Sequence, residues 1–226
     1  MSNRYIKNQN MLSQDENQSL RSKRIAVVGC GGLGGTILEQ LARLGIGYLK
    51  AIDGDVFEES NLNRQILSNP GNIGKSKVVE AQLRINLVNP DIEIDAVNCF
   101  INSDNALALL RGHDLIMDAL DSMEGKTLIK NAARELGIPI IYGAIAGWYA
   151  HIALICPEDT HLDFIFESIE NKGIEQYLGN PAFTPALAAS IQVSEAIKFL
   201  CNKGTLLRNK ILSINLLDND FQIIEL

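Results

Sequence analysis

The 226-residue sequence predicts the α/β fold class: a mostly parallel sheet with helices on both faces and an antiparallel C-terminal extension. Short apolar segments alternate with amphipathic segments between residues 24 and 142, an alternation typical of parallel sheets. A glycine-rich turn joins the first apolar segment to the first amphipathic one. Near the C-terminus, two β-rich runs flank a polar turn at residues 218–220, which predicts a hairpin.

The elements follow in order along the chain. Residues 1–23 are polar and predict an N-terminal arm or short helix, whereas residues 24–226 predict a single domain. Gly45 and the Asn89-Pro90 pair are typical helix ends. Strands are predicted at 24–29, 48–53, 92–97, 114–118, 138–142, 148–156, 210–217 and 221–226. Helices are predicted at 33–44, 75–88, 104–111, 126–136 and 186–200. An irregular stretch is predicted at 157–185, before the last helix.

Composition narrows the function classes. The chain has 20 Lys and Arg against 27 Asp and Glu, a net charge of −7, which argues against a nucleic-acid surface. Its four cysteines form no CxxC pair, and scattered thiols predict a cytoplasmic protein. Residues 1–19 are polar and contain no apolar run, which predicts that they do not form a signal peptide. The apolar stretch 138–156 is interrupted by Pro139, Gly143, Gly147 and His151. We therefore interpret it as two strands rather than a membrane span.

A phosphate-binding turn is predicted at Gly29-Cys-Gly-Gly-Leu-Gly34, which fits the G-x-G-x-x-G pattern of a Rossmann-like fold. Gly29, Gly31, Gly32 and Gly34 would let a nucleotide phosphate approach the helix N-terminus. Asp53 ends the next strand, where an acid can hold ribose hydroxyls. The motif does not distinguish NAD, FAD, S-adenosylmethionine and ATP, and its alternative is a tight turn without a ligand.

Polar residues after Asp53 suggest triphosphate chemistry. Asn61 and Arg64 are three residues apart and share a face of one helical turn. With Lys77, Arg64 would offset charge that develops on phosphorus and the leaving group. Asp121 follows the fourth strand and could hold Mg²⁺. The alternatives are a solvated turn and charged helix start for the cations, and a helix N-cap for Asp121.

With these residues, the sequence resembles the ThiF/MoeB/HesA family of bacterial relatives of ubiquitin-activating enzymes, over nearly its whole length. The motifs that carry the resemblance are Gly29-Cys-Gly-Gly-Leu-Gly34, Asp53-Gly-Asp55, Ser60-Asn-Leu-Asn-Arg-Gln65, Gly74-x-x-Lys77, Asp118-x-x-Asp121, Gly179-Asn-Pro-Ala-Phe-Thr-Pro185 and Gln192-Val-Ser-Glu-Ala-Ile-Lys198. Among them, the Asn-Leu-x-Arg-Gln element with its downstream lysine is far more specific than the glycine turn.

The resemblance implies ATP-dependent adenylation of the Gly-Gly C-terminus of a small β-grasp sulfur carrier (ThiS- or MoaD-like), with release of pyrophosphate. Arg64 and Lys77 would stabilise the phosphates, and Asp121 would bind Mg²⁺. The expected nucleotide-binding residues are Gly29, Gly31, Gly32, Gly34, Asp53, Ser60, Asn61, Gln65 and Ser122. A homodimer is also expected, since the late helix and the N-terminal arm are dimer elements in the family.

Three departures from the family pattern modify this expectation. The two CxxC pairs that bind structural zinc in many members are missing, and residues 163–167 stand at the first, so no zinc is predicted. The region 171–184 holds no cysteine, which predicts that the activity stops at the adenylate. Lys7 stands where the family has a catalytic arginine, so Lys7 substitutes for it, Arg4 takes over, or catalysis is weaker.

Two other functions remain open at this stage. An NAD- or FAD-dependent oxidoreductase would use the same glycine turn, although the set formed by Asn61, Arg64 and Lys77 argues against it. A non-catalytic nucleotide-binding partner protein is the other alternative, with the change at Lys7 and the missing cysteines as signs of decay.

Overall fold

A computed structural model describes residues 3–163, 166 and 178–226. The strands are β1 (Arg24–Val28), β2 (Tyr48–Ile52), β3 (Glu93–Val97), β4 (Leu115–Asp118), β5 (Ile140–Ala146), β6 (Tyr149–Ile155), β7 (Lys210–Asn215) and β8 (Asp220–Glu225). The α-helices are α1 (Gln14–Leu20), α2 (Gly32–Leu44), α3 (Lys77–Val88), α4 (Ala106–Leu110), α5 (Met123–Leu136) and α6 (Phe183–Leu200). Short 3-10 helices span Asn3–Asn8 and Glu59–Asn61.

The strands form one sheet in the order β3-β2-β1-β4-β5-β6-β7-β8. The first five strands in that order pair in parallel. The last three, β6, β7 and β8, each pair antiparallel with the strand before them. This confirms the predicted parallel sheet and its antiparallel extension. From β1 the chain first adds β2 and β3 on one side of the sheet and then adds β4 and β5 on the other side. Such a change of direction opens a crevice at the carboxyl ends of the strands.

Helices cover both faces of the sheet, as predicted. The side chains of β1 alternate between them: Ile25 and Val27 join the core beneath α2, α3 and α6, whereas Ala26 and Val28 join the core beneath α4 and α5. All four residues are buried. A strand that is apolar on both sides can pack only in the middle of such a three-layer structure.

Local chemistry moves three of the predicted boundaries. Helix α5 begins at Met123 because Ser122 caps it, its Oγ accepting a hydrogen bond from the Gly125 amide at 3.2 Å. Helix α6 already includes Pro185, since a proline in the first turn removes no intrahelical hydrogen bond. Strand β5 continues to Ala146 because it pairs with β6 up to their shared turn.

That β5–β6 pair confirms the interpretation of residues 138–156 as two strands. No helix in the described ranges is both long and apolar enough to span a bilayer. The predicted irregular stretch 157–185 and the 163–167 segment lie partly outside the described residues, which omit 164, 165 and 167–177. Residues 171–177 of the cysteine-free region lie outside them as well.

The N-terminal arm packs against the domain. Tyr5 is buried, and its ring lies so close to Gly45 that a Cβ there would approach it to 2.7 Å. The Tyr5 hydroxyl accepts a hydrogen bond from Asn89 at 2.7 Å. Leu12 and Leu20 belong to the core beneath α2. Residues 3–23 are therefore anchored to the domain through several buried side chains.

Candidate active site

A cleft of about 380 Å³ opens at the carboxyl ends of β1, β2 and β4. Nine of the residues predicted for the site line it: Gly29, Gly31, Gly32, Asp53, Arg64, Gln65, Lys77, Asp121 and Ser122. Four others, namely Gly34, Ser60, Asn61 and Lys7, are not among its lining residues. The structure therefore brings the glycine turn, the cations and the acid together, as the sequence predicted.

The glycine turn presents backbone amides to the cleft. Gly29 has a φ of +95°, which favours glycine, and its amide donates to the Ile52 carbonyl at 2.8 Å. Gly31 is the N-cap of α2 and offers no side-chain cap. The first amides of α2 have no partner within the helix, so this end of the cleft suits an anion.

Gly34 has a packing role. A Cβ at this position would lie 1.8 Å from the Gly29 carbonyl oxygen, whereas a Cβ at Gly31 would have its nearest neighbour, Gln65 Nε2, at 3.5 Å. Gly34 thus allows α2 to lie against the end of β1. That the four glycines of the turn serve a ligand stays a prediction.

This contrast makes a testable pair of substitutions. Gly34→Ala should lower the free energy of unfolding by about 3 kcal/mol, because the overlap is with backbone that cannot move aside. Gly31→Ala should leave stability nearly unchanged and weaken ATP binding, because the methyl group enters the cleft. Urea unfolding and ATP titration of both variants check this, and a stable Gly34→Ala protein would contradict it.

Asp53 fastens the glycine turn to β2. Its Oδ2 accepts from the Cys30 amide at 2.7 Å, and its Oδ1 accepts from the Asp55 amide at 2.8 Å. Each carboxylate oxygen keeps a further lone pair, so ribose hydroxyls can still donate to it. The position agrees with the predicted ribose contact.

Arg64 lies at the cleft, whereas Ser60 and Asn61 support the loop beside it. Asn61 is buried, and its Oδ1 accepts from the Glu58 amide at 3.1 Å, so its side chain closes the local turn. Arg64 Nη1 donates to the Ser60 carbonyl at 3.0 Å and to Asn63 Oδ1 at 2.9 Å. These acceptors are neutral, and no carboxylate among the described residues pairs with the guanidinium.

Lys77 is nearly buried at the start of α3, and only 9% of its side chain is exposed. This rules out a solvated lysine at the helix start, which was the alternative interpretation. Its Nζ lies 2.9 Å from Asp55 Oδ2, and the Asp55 side chain is 52% exposed. Asp55 belongs to the Asp53-Gly-Asp55 motif, but the sequence predicted no role for its side chain.

Asp121 is exposed at the cleft, and the described residues give its carboxylate no hydrogen-bond donor. Ser122 caps α5, so the alternative role of Asp121 as a helix cap does not apply. No three His, Cys, Asp or Glu side chains in the described ranges are grouped closely enough to hold a metal. A cation at Asp121 would therefore take its other ligands from a substrate and from water.

Sequence reasoning missed a buried ion pair at the base of the cleft. Lys126 lines the cleft, is 3% exposed, and lies 2.9 Å from the Asp118 carboxylate. Its ammonium also donates to the Gly143 carbonyl at 2.6 Å. Burial raises the pKa of the Asp118 carboxyl, and the Lys126 ammonium opposes that rise. Lys126 comes one turn into α5, where its spacing alone gave no signal.

The pair fills the fork where β4 and β5 separate. Their register ends at Met117 and Ile141, and β5 continues beyond it beside the cleft. Gln192 of α6 also enters the fork, its Nε2 donating to the Asp118 carbonyl at 2.9 Å and to the Ile141 carbonyl at 3.3 Å. The edge of β5 past the fork thus faces the cleft instead of a neighbouring strand.

Further residues complete the cleft wall. Phe100 is 65% exposed, and a Cβ at Gly54 would touch its ring at 2.7 Å. Gln65 and Asn180 each carry a buried side-chain oxygen that has no donor among the described residues. Orphaned acceptors of this kind are satisfied by ligands or water.

The cysteines outside the cleft are poor nucleophiles. Burial raises the pKa of Cys156 to about 11 and raises the pKa values of Cys30 and Cys201 as well. Their thiols are therefore protonated at neutral pH, and the thiolate is the reactive form. The raised pKa values favour a structural role for these thiols over a catalytic one.

The two candidate cations of the N-terminal arm differ in their surroundings. Arg4 Nη1 donates to the Val88 carbonyl at 2.6 Å, and its Nε lies 3.8 Å from Asp91. Lys7 is exposed, at the end of the first 3-10 helix, and lies outside its own chain's cleft.

Fold and cleft together define a doubly wound α/β nucleotide-binding protein. The chain belongs to the ThiF family, whose sequence model matches residues 3–226. It is 29% identical over 208 residues to the SAMP-activating enzyme E1 of Haloferax volcanii, covering 91% of this chain and 77% of that protein. It is 30% identical over 214 residues to the sulfur carrier protein adenylyltransferase of Thermus thermophilus, covering 91% and 79%.

These relatives confirm the family resemblance, and their names favour adenylation over the oxidoreductase alternative. Among solved structures, E. coli MccB matches with a TM-score of 0.84 and 22% identity, covering all of this chain and 70% of that one. At this identity the likeness shows the fold alone.

Proposed function

We propose that this protein uses ATP to adenylate the C-terminal Gly-Gly carboxylate of a ThiS- or MoaD-like sulfur-carrier protein, releasing pyrophosphate. One observation carries the proposal: Arg64, Lys77 and the uncapped N-terminus of α2 all border the same cleft. Together they provide the positive potential that a triphosphate and its leaving group require. The adenylyltransferase names of the relatives support this choice of reaction.

The reaction needs positioning and charge compensation. An oxygen of the carrier carboxylate attacks the α-phosphorus, a carboxyl–phosphate bond forms, and the bond from that phosphorus to the bridging oxygen breaks. The bridging oxygen leaves with pyrophosphate, and its electron pair is stabilised by Arg64 and Lys77. A carboxylate is already deprotonated at neutral pH, so the reaction requires no general base.

The site also fits Mg²⁺. Asp121 offers an exposed carboxylate at the cleft without a competing donor among the described residues, which suits a hard cation. When bound there, the ion would neutralise charge on the phosphates. Asp53 would hold the ribose, and the free oxygen of Gln65 would accept a hydrogen bond from the nucleotide.

The free edge of β5 provides a route for the carrier tail. Ala144 and Ile145 line the cleft beyond the fork with β4. An extended Gly-Gly segment has no side chains to clash with such a wall, and it can pair with exposed strand groups. This arrangement favours a tail that ends in small residues.

The surface beside the cleft supports the expected homodimer. On α3, Val79, Leu83 and Leu87 are spaced four residues apart and are 44%, 55% and 82% exposed. They form one apolar stripe, which starts half a turn after Lys77. The family resemblance implies that the N-terminal arm of a second copy reaches this cleft. Because Arg4 is engaged on its own chain, we assign the role in the partner's site to Lys7.

Mixing two inactive variants tests this assignment. Lys7→Ala and Lys77→Ala chains should each be inactive alone, yet their mixture should recover about a quarter of wild-type activity. Half of the dimers would then be mixed, and each mixed dimer would have one intact site. The control is Lys7→Ala mixed with wild type, and the measurement is pyrophosphate release. A mixture as inactive as its components would contradict a role for Lys7 in the partner's site.

Exchange of label between pyrophosphate and ATP tests the function itself. We expect exchange only when a β-grasp protein ending in Gly-Gly is added, because the back-reaction requires the carrier adenylate. A carrier that lacks its final glycine is the matched control. Exchange that proceeds without carrier, or fails with every Gly-Gly carrier tested, would contradict the proposal.

We also propose a cytoplasmic location, which the four free thiols support.

A further inference from the structure

We propose that Asp55 is a specificity-determining residue whose carboxylate holds Lys77 in the free cleft and weakens the binding of small phosphate anions. The inference rests on the proposed function, because pyrophosphate is the anion that the reaction must release. It concerns how the cleft distinguishes a whole nucleotide from the fragments of one.

The geometry makes Asp55 the counter-ion of Lys77. The ammonium of Lys77 is nearly buried, and a buried charge without a partner is costly. Asp55 supplies that partner at 2.9 Å, while its own side chain is 52% exposed and lines the cleft. An anion that reaches Lys77 must therefore displace a carboxylate that is already in place.

The charges around the cleft support this competition. Among the described lining residues, three are acidic (Asp53, Asp55 and Asp121) and three are basic (Arg64, Lys77 and Lys126), so the formal charge is zero. Lys126 is paired with Asp118, and Lys77 is paired with Asp55. A small anion thus finds Arg64 available, whereas a triphosphate reaches Arg64, Lys77 and the α2 amides together.

The Asp55 carboxylate is not needed to hold its loop. The Asp55 amide donates to Asp53 Oδ1 at 2.8 Å, and its carbonyl accepts from the Lys77 amide at 3.0 Å. Both contacts use backbone atoms and survive a change of side chain. Among the described residues, Lys77 is the one hydrogen-bond or ion-pair partner of the Asp55 side chain.

The consequence is an exchange of counter-ions during turnover. When the triphosphate binds, its oxygens replace Asp55 at Lys77 at little net cost, because one ion pair is traded for another. After bond cleavage, the smaller pyrophosphate holds Lys77 with fewer additional contacts. Asp55 can then recover the lysine and favour product release.

Calorimetric titration with pyrophosphate alone tests the inference. We expect Asp55→Asn to bind pyrophosphate about tenfold more tightly than wild type, because the competitor for Lys77 is gone. Equal or weaker binding would overturn it, since a carboxylate that only positions Lys77 would lose affinity when removed. Asp55→Ser should bind pyrophosphate more tightly by the same factor. It provides the same test if Asp55→Asn does not fold.

Two controls isolate the ion pair. Glu59→Gln removes one negative charge from the same loop, but Glu59 does not line the cleft, so affinity should change by less than about twofold. In a Lys77→Met background, Asp55→Asn should also change affinity by less than about twofold. Tenfold tightening in that background would overturn the inference. If the wild-type protein shows carrier-dependent exchange and Asp55→Asn does not bind pyrophosphate more tightly, this inference alone is refuted. If Asp55→Asn binds pyrophosphate more tightly and the wild-type protein shows no exchange, only the proposed function is refuted.

Discussion

Replacing Arg64 or Lys77 with alanine should lower carrier-dependent ATP–pyrophosphate exchange by about 10³-fold in kcat/KM. Both side chains border the cleft, and cations placed on a transferring phosphoryl group are worth this much in related chemistry. The loss should fall mainly on kcat, because the charge they stabilise develops in the transition state. Steady-state kinetics of the two variants provides the measurement.

Lys75 offers a matched control two residues from Lys77. Its side chain is 59% exposed and lies 3.9 Å from Glu80, outside the cleft. Lys75→Ala should therefore leave the exchange rate within about twofold of wild type. Equal losses in Lys75→Ala and Lys77→Ala would mean that general surface charge drives binding. Unchanged rates in Arg64→Ala would show that Arg64 does not act on the phosphates.

Replacing Lys126 with methionine should lower the free energy of unfolding by about 3–5 kcal/mol. The change leaves Asp118 buried without its cation, which costs much more than the pair itself contributes. The double variant Lys126→Met/Asp118→Asn should recover at least half of that loss, because no buried charge remains. Urea unfolding of the two variants measures both effects.

The control for this prediction is Lys130, one turn further along α5. It pairs with Asp163 at 2.8 Å, but the Asp163 side chain is 28% exposed and can be solvated when its partner is lost. Lys130→Met should cost only about 1 kcal/mol. A Lys126→Met protein as stable as the Lys130→Met protein would show that the Asp118 carboxylate finds another partner.

The fold could be predicted because β1 and its neighbours are apolar on both faces and alternate with amphipathic helices. The boundaries depended on caps that a sequence shows only weakly. Ser122 lines the cleft, and its hydroxyl also caps α5, a role that the sequence did not predict. The site could be predicted in outline, because the glycine turn and Asp53 follow strands that end at one edge of the sheet.

The remaining features depend on contacts between segments far apart in the chain. The pairing of Lys77 with Asp55 spans 22 residues, and Gly143 meets Lys126 only because β5 passes beside α5. Gly34 looked like a phosphate-binding residue, and its packing against the Gly29 carbonyl is visible only in three dimensions. Hydrophobic periodicity carries no information on such pairs, since it reports burial and not partners.

Labelled ATP provides the most direct test of the central claim, which is that this cleft transfers the adenylyl group to a carrier carboxylate. Incubation with a Gly-Gly carrier and ATP labelled at the α-phosphate should place label on the carrier in an acid-stable, hydroxylamine-sensitive adduct. Label at the γ-phosphate should appear only in pyrophosphate. Transfer of γ-label to the carrier, or release of γ-labelled orthophosphate with no adduct, would contradict the account.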